Sequence, residues 1–171
     1  NQGTQVIATS DSNSFYLQWF PNSSVPSQTP VIVTLHGSSG YAFSEVSDWL
    51  QQAVNHNCGI IALQWYRGVN STFPNDYFND TVLYTDLDTA LARINYPSRK
   101  AFLHGFSRGG ARSYAIVFLD SRDGNDYFCT AMANSGGAST SYPLYAQIMN
   151  NNFGPNVFAG KQWALFCGGQ D

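Results

Sequence analysis

The segment that decides the fold of this chain is Ala101-Phe102-Leu103-His104-Gly105-Phe106-Ser107-Arg108-Gly109-Gly110. Its apolar start predicts a buried strand, and the small residues from Gly109 onward predict a helix, to about Leu119, packed closely on a sheet. Gly105 and Gly109 lie two residues either side of Ser107. Glycines there remove the Cβ atoms that would collide in a sharp turn. The pattern therefore predicts a serine exposed on a strained strand-to-helix turn.

The rest of the chain alternates between strand and helix patterns. The continuous β-branched run Val31–Leu35 is typical of a central strand that is buried on both faces. Apolar stripes at helical spacing predict one helix capped by Ser44 and a longer one capped by Asp80. The predicted strands are 6–8, 15–20, 31–35, 59–65, 101–103, 128–133 and 162–167, and the last predicted helix is 142–149. This order predicts an α/β fold, a mostly parallel sheet with helices on both faces and ligands at the carboxyl ends of the strands.

Length and composition limit the possible classes of protein. The 171 residues fit one domain, 1–171, and 43% of them are hydrophobic, as in globular proteins. There is no apolar run of about 18 residues or more, so no membrane span is expected. The net charge is −3 and the only lysines are Lys100 and Lys161. A basic face for nucleic acid is therefore not expected.

The composition also predicts an extracellular location. Charged residues make up only 11%, and three glycosylation sequons begin at Asn22, Asn70 and Asn79. Chance occurrence in an Asn- and Ser-rich chain explains the sequons equally well. The polar start without a signal peptide is typical of a processed, secreted protein.

Three cysteines occur, Cys58, Cys129 and Cys167. An odd number leaves one thiol free or paired outside the chain. Cys129 and Cys167 fall in predicted strands, which favours buried thiols for at least one of them. No CxxC pair or His/Cys cluster is present in the sequence, so no metal or cofactor is expected.

The candidate serine would need hydrogen-bond donors for an oxyanion. The N–H of Arg108, directly after Ser107, is one candidate. The second is expected from His36-Gly37-Ser38-Ser39-Gly40, which follows the central strand, with Ser38 as first choice and Ser39 as second. The alternative is an ordinary turn, since Gly and Ser are common turn residues.

Further candidates lie at the same predicted edge of the sheet. Asp171 follows the last strand and would be the acid that orients a histidine; a surface turn is the alternative. Tyr41, Trp65, Tyr66 and Phe106 could line an aromatic acyl pocket. Plain packing of these four side chains is an equal alternative.

Three motifs together carry a family resemblance. Leu35-His36-Gly37, the elbow from His104 to Gly110, and Phe166-Cys167-Gly168-Gly169-Gln170-Asp171 resemble the secreted α/β-hydrolases of the polyhydroxybutyrate depolymerase and feruloyl or acetylxylan esterase type. Trp49 and Cys58-Gly59-Ile60-Ile61 are also similar to that group. The resemblance spans 31–171. It implies an α/β-hydrolase fold and a cofactor-free serine esterase that acts on plant cell-wall or polyester substrates.

The resemblance also implies a base histidine after one further strand, beyond Asp171. The chain has only His36, His56 and His104. The resemblance gives His36 a structural role, His56 is expected in solvent at a helix end, and His104 is expected in the sheet packing. We therefore expect this sequence to be a fragment, with the histidine, a last strand and a last helix in a missing segment or a completing chain.

Two other functions remain open from the sequence. A peptidase or a lipase would use the same three groups, a serine, an acid and a histidine, and would differ in its substrate pocket. A non-catalytic binding or structural protein could keep the fold, since fold does not determine function.

Overall fold

A computed structural model describes residues 3–68, 72 and 75–168. Seven strands in this part form one sheet: β1 (Gln5–Ala8), β2 (Phe15–Trp19), β3 (Val31–Leu35), β4 (Gly59–Leu63), β5 (Ala101–Phe106), β6 (Phe128–Asn134) and β7 (Gln162–Phe166). The helices are α1 (Ala42–His56), α2 (Asp80–Arg93), α3 (Arg108–Arg122) and α4 (Pro143–Met149), with a 3-10 turn at Pro26–Gln28.

The strand order is β1-β2-β4-β3-β5-β6-β7. β2 is antiparallel to both of its neighbours, and the five strands from β4 to β7 are parallel. In the register, Leu35 lies beside Gly105, and Phe106 lies beside Asn134. The carboxyl ends of β3, β5 and β6 therefore meet at one edge, where the segment Ala101–Phe106 delivers Ser107. The prediction of a mostly parallel α/β sheet is confirmed.

Helices cover both faces of this sheet. Ile32 of β3 packs with Val46 and Ala53 of α1 in one buried cluster. Its neighbours along the strand face the other way, into a larger cluster that contains residues of α2 and α3. Each large aliphatic side chain buried in this way contributes about 1.5–3 kcal/mol to stability. The sheet is thus held rigidly from both sides beneath its carboxyl edge.

The two predicted helix caps are wrong. α1 begins at Ala42, whose N–H donates to the side-chain oxygen of Gln64 over 2.9 Å. That partner comes from a distant part of the chain. Because the helix begins two residues earlier than predicted, Ser44 lies inside it. α2 is capped by Asn79, whose side-chain oxygen accepts from the N–H of Val82 over 3.0 Å.

Two strand boundaries differ from the prediction by more than one residue. β5 extends three residues past Leu103 because Gly105 and Phe106 keep their pairing with neighbouring strands. β4 ends at Leu63, before Trp65. The longer β5 carries the chain right up to the serine.

A buried charge cluster fastens α3 to β6. The carboxylate of Asp120 accepts from the N–H groups of Tyr127 and Phe128 over 2.9 and 3.0 Å. The ammonium of Lys161 lies 3.5 Å from Asp120, contacts Asp126, and donates to the carbonyl oxygen of Phe128 over 2.7 Å. Only 3% of the Lys161 side chain is exposed.

The three cysteines are free thiols. Cys58 and Cys129 are half-buried, whereas Cys167 follows β7 and is exposed. The expected burial of at least one of the two strand cysteines is met only in part, by the half-buried Cys129 of β6. Leu165 and Phe166 of β7 are 70% and 59% exposed, so this edge strand carries uncovered apolar side chains. None of the helices in the described ranges is long and apolar enough to cross a bilayer.

Candidate active site

Ser107 stands at the turn between β5 and α3 in an unusual backbone conformation. Its φ is 51° and its ψ is −115°, a combination that residues with a Cβ atom rarely adopt. Its N–H donates to the carbonyl oxygen of Asn134 over 2.7 Å, and its own carbonyl accepts from Ala111 over 3.1 Å. Hydrogen bonds to β6 and within α3 therefore hold Ser107 in this strained conformation.

The flanking glycines are required by close contacts between backbone segments. A Cβ atom on Gly105 would overlap the carbonyl group of Gly109, and one on Gly109 would overlap the carbonyl oxygen of Leu35. The helix after the serine can thus approach the sheet only with glycine at both places. This is the geometry expected of the Gly-x-Ser-x-Gly pattern.

The loop after β3 approaches the serine from the other side. Its residues 36–40 turn back on themselves, with the N–H of Gly40 donating to the carbonyl oxygen of Gly37 over 3.1 Å. The N–H of Ser39 donates to the hydroxyl oxygen of Tyr77 over 2.5 Å. Ser38 lines the same cavity as Ser107, and its N–H makes no hydrogen bond within the described ranges. Of the two candidates, Ser38 is therefore the one whose N–H is available beside Ser107.

His36 supports this loop from below. It is buried, its Nδ1 lies 2.8 Å from the carbonyl oxygen of Gly37, and its Nε2 lies 3.3 Å from the N–H of Trp65. Because the Trp65 N–H can only donate, we assign the imidazole proton to Nδ1, which donates to Gly37. Burial lowers the pKa of His36. The residue is thus neutral, as a structural role requires.

The other two histidines lie elsewhere. His104 is buried, and its Nδ1 lies 3.1 Å from the indole N–H of Trp49, 3.0 Å from the hydroxyl of Thr34 and 3.5 Å from the carboxylate of Glu45. His56 is exposed at the end of α1. No hydrogen bond joins Ser107 to a histidine in the part of the chain that the structure describes.

A cavity of about 630 Å³ opens beside Ser107. Polar side chains contribute to its lining, namely Ser38, Arg108, Arg112, Ser135, Ser141 and Tyr142. Ala111, Pro143 and the glycines Gly136 and Gly137 complete it. The cavity therefore offers hydroxyl and guanidinium groups beside apolar surface.

Arg112 forms one fixed wall of the cavity. Its guanidinium carbon lies 4.2 Å from the centre of the Tyr142 ring, and Nη1 lies 2.8 Å from the carboxylate of Asp80. Burial raises the pKa of Asp80, and the positive charge of Arg112 opposes that shift. Stacking and pairing together hold the arginine in one orientation.

Arg108 has an equivalent arrangement on the opposite side. Its guanidinium carbon lies 3.7 Å from the centre of the Tyr77 ring, and Nη1 lies 3.4 Å from the carboxylate of Asp76. Since each arginine has a carboxylate partner, the cavity carries little net charge. The two arginines therefore do not make the cavity strongly cationic.

The four aromatic residues predicted to line an acyl pocket lie in different places in the structure. Trp65 has no exposed surface, because its ring packs on His36 and Tyr77 at centroid distances of 5.4 and 4.7 Å. Trp65 thus supports the loop at residues 36–40, and its predicted place in an acyl pocket is corrected accordingly. Phe106 is 44% exposed and borders a different cavity of about 390 Å³.

Tyr41, which is 52% exposed, and the half-buried Tyr66 do not line the cavity beside Ser107. Asp171, the predicted acid, lies outside the described residues.

Sequence reasoning missed several residues that the structure brings to Ser107. Tyr77 belongs to a segment without a motif, and Arg112 and Tyr142 lie in predicted helical segments whose apolar patterns do not mark them. The loop at Gly136-Gly137 had a usable signal, since a glycine pair directly follows a buried strand. In a parallel sheet, such a loop must reach the same edge as Ser107.

The comparisons with known proteins bear on the fold. No protein-family model matches the sequence. No curated protein matches it either. Solved structures do match: an esterase/lipase from an uncultured bacterium superposes with a TM-score of 0.65 at 14% identity, over 96% of this chain and 64% of that one.

An acetyl xylan esterase from Aspergillus awamori matches with a TM-score of 0.60 at 12% identity, over 82% of this chain and 54% of that one. A bacterial heroin esterase matches with a TM-score of 0.59 at 17% identity, over 78% of this chain and 44% of that one. The chain has the α/β-hydrolase fold. It spans only 44–64% of the length of these three structures.

Proposed function

We propose that the protein is a serine esterase that hydrolyses carboxylic esters through an acyl-enzyme on Ser107. The observation that carries the proposal is the strained backbone of Ser107, with φ of 51° and ψ of −115°, beside a cavity that Ser38 and Arg108 also line. Strain of this kind costs of the order of 1–3 kcal/mol and persists where function selects it.

In the proposed mechanism, the Oγ of Ser107 attacks the ester carbonyl carbon. A histidine from a segment beyond this sequence takes the serine proton and then gives it to the leaving alcohol. Asp171 would orient that histidine. The N–H groups of Ser38 and Arg108 donate to the oxyanion, where each donor is worth about 10²–10³ in kcat. Water then hydrolyses the acyl-enzyme, and no cofactor takes part.

The walls of the cavity favour a hydrophilic ester with a short acyl group. Hydroxyl and guanidinium groups would pair with a polar alcohol such as a sugar, whereas a long aliphatic chain would leave them unpaired. The face of the Tyr142 ring that Arg112 does not cover adds a surface on which a sugar ring could stack. We therefore place cell-wall type esters ahead of lipids and peptides as substrates.

We further propose that the protein acts outside the cell. The sequon residues Asn22 and Asn79 are exposed, which a glycosylation site requires. Asn70 lies outside the described residues. Digestion of the native protein with a glycosidase, followed by intact mass, tests this proposal: no loss of mass would leave it without support.

The test of the esterase uses the full-length protein and its Ser107→Ala variant. A fluorophosphonate probe should label the wild type at Ser107, as located by mass spectrometry, and should leave the variant unlabelled. Turnover of short aryl esters, O-acetylated sugars, long-chain esters and peptide amides then ranks the substrate classes. A folded wild-type protein that is neither labelled nor active on any of them would instead be a binding or structural protein.

A further inference from the structure

Tyr77 lies beside the chain that leaves β4. The N–H of Arg67 donates to the carbonyl oxygen of Asp76 over 2.9 Å, and the N–H of Phe78 donates to that of Trp65 over 3.1 Å. These hydrogen bonds, with a β-bridge between Tyr66 and Tyr77, hold the backbone at 76–78 in place. The segment thus extends the sheet edge toward Ser107.

The side chain of Tyr77 contacts both halves of the proposed oxyanion hole. Its hydroxyl oxygen accepts from the N–H of Ser39 over 2.5 Å, and its ring lies 3.7 Å from the guanidinium carbon of Arg108. Only 6% of the residue is exposed. The rings of Trp65 and Tyr66 lie behind it at 4.7 and 5.1 Å. Tyr77 therefore has little freedom to move.

We propose that Tyr77 is a positioning residue, which fixes the oxyanion loop and selects Ser38 as its donor. The inference rests on the proposed esterase function. The hydroxyl group occupies the N–H of Ser39 and so fixes the turn that presents the N–H of Ser38. The ring restricts Arg108, the residue that supplies the other donor. One side chain thereby sets the spacing between the two donors.

This spacing matters mainly in the transition state. Donors must lie about 2.7–3.1 Å from the place that the oxyanion, rather than the ground-state carbonyl oxygen, will occupy. A loop that is free to shift would lose this contact while substrate binding stays nearly the same. The expected effect therefore falls on kcat and spares KM.

Tyr77→Phe in the full-length protein tests the hydroxyl group alone, because the phenyl ring can still stack on Arg108. We expect kcat on a short aryl ester to fall about tenfold, with KM within about twofold of the wild type. The affinity for a boronic acid, which forms a tetrahedral adduct on serine, should fall in proportion to kcat/KM.

The matched control is Tyr96→Phe. Tyr96 is also a buried tyrosine, and its hydroxyl proton is shared between the carbonyl oxygens of Thr29 and Lys100, 3.2 and 3.1 Å away, at the amino ends of β3 and β5. The Tyr96→Phe variant should lose stability because it also removes a buried hydroxyl group, but its kcat should stay unchanged. A kcat for Tyr77→Phe equal to that of Tyr96→Phe would overturn the inference.

A measurement on the wild-type protein does not depend on the folding of either variant. In ¹⁵N-labelled protein, addition of the boronic acid should move the amide proton of Ser38 downfield, because it gains a charged acceptor. The amide proton of Ser39 should stay near its original position. The opposite result, with Ser39 shifted and Ser38 unchanged, would show that Tyr77 does not select the donor.

The two proposals fail in different ways. If the wild type shows no ester turnover and no labelling at Ser107, the esterase function itself is wrong. If the wild type is active and Tyr77→Phe matches its control, only the role of Tyr77 is wrong.

Discussion

Gly136 lies so close to Ser107 that a Cβ atom at position 136 would overlap the carbonyl oxygen of the serine. The same oxygen accepts the first hydrogen bond of α3, from Ala111 over 3.1 Å. The loop after β6 thus packs directly against the strained turn at Ser107. The pairing of β6 with β5 restrains the same turn. The turn is held from three sides.

This contact predicts a large difference between two neighbouring glycines. Gly136→Ala should lower the free energy of unfolding by about 2 kcal/mol, because the loop or the elbow must shift. Gly137→Ala is the control, since no atom lies within 4 Å of a Cβ atom there. It should stay within about 0.5 kcal/mol of the wild type. Urea denaturation of the full-length variants measures both values, and equal values would contradict the contact.

The backbone strain at Ser107 predicts an unusual order of stability. Glycine adopts a φ of 51° and a ψ of −115° without strain, whereas alanine keeps the penalty. Ser107→Gly should therefore be more stable than Ser107→Ala by about 1 kcal/mol, and both should lose probe labelling. Chemical denaturation compares them directly. An alanine variant as stable as the glycine variant would mean that the turn is relaxed in solution.

The position of His36 predicts a loss of stability in mild acid. Its pKa is lowered by burial from 6.5, so below about pH 6.5 the unfolded chain binds the proton first. The free energy of unfolding should fall as the pH drops from 6.5 toward the folded-state pKa. The NMR shift of the His36 Cε1 proton should titrate with a midpoint below 6.5. A midpoint at or above that value would contradict the neutral, Trp65-bonded imidazole.

The raised pKa of Asp86 predicts the opposite pH dependence for the free energy of unfolding. Burial, with a smaller contribution from the charge of Asp11, raises the pKa of its carboxyl group to about 6. The native state then holds the proton between pH 3.8 and about 6, so stability falls as the pH rises through this range.

Asp86→Asn should therefore be more stable than the wild type at pH 7, by about 1 kcal/mol after allowance for relaxation. The difference should nearly vanish at pH 3.5, below both values of the pKa. Thermal denaturation at the two pH values provides its own control. A stabilisation of equal size at both would assign the effect to packing instead of charge.

The strands and the elbow could be predicted because their signals are local. Val31–Leu35 is buried on both faces, and its continuous β-branched run reflects this directly. Glycine is needed on both sides of Ser107 because a Cβ atom there would overlap backbone atoms a few residues away or in the adjoining strand. The cap at Ala42 could not be predicted, because its partner, Gln64, is 22 positions away and belongs to another element.

The walls of the site could not be predicted for a similar reason. Trp65 and Tyr66 follow the same strand, and the sequence gives no sign of which one is covered. Trp65 is covered because its ring packs between His36 and Tyr77, and Tyr77 comes from a segment that has no periodic pattern. Its contact with Ser39 joins residues 38 positions apart. Such pairs depend on the path of the loops, which the hydrophobic pattern leaves open.

The burial of Lys161 has a practical consequence for attaching this domain to a surface. Amine-reactive reagents meet two lysines in this sequence, and Lys161 is shielded among Asp120, Asp126 and the carbonyl oxygen of Phe128. Lys100 is exposed, directly before β5. Ser107 follows the same strand, roughly 20 Å further on. Coupling through the side chain of Lys100 would therefore hold the domain by the end of β5 that lies away from Ser107.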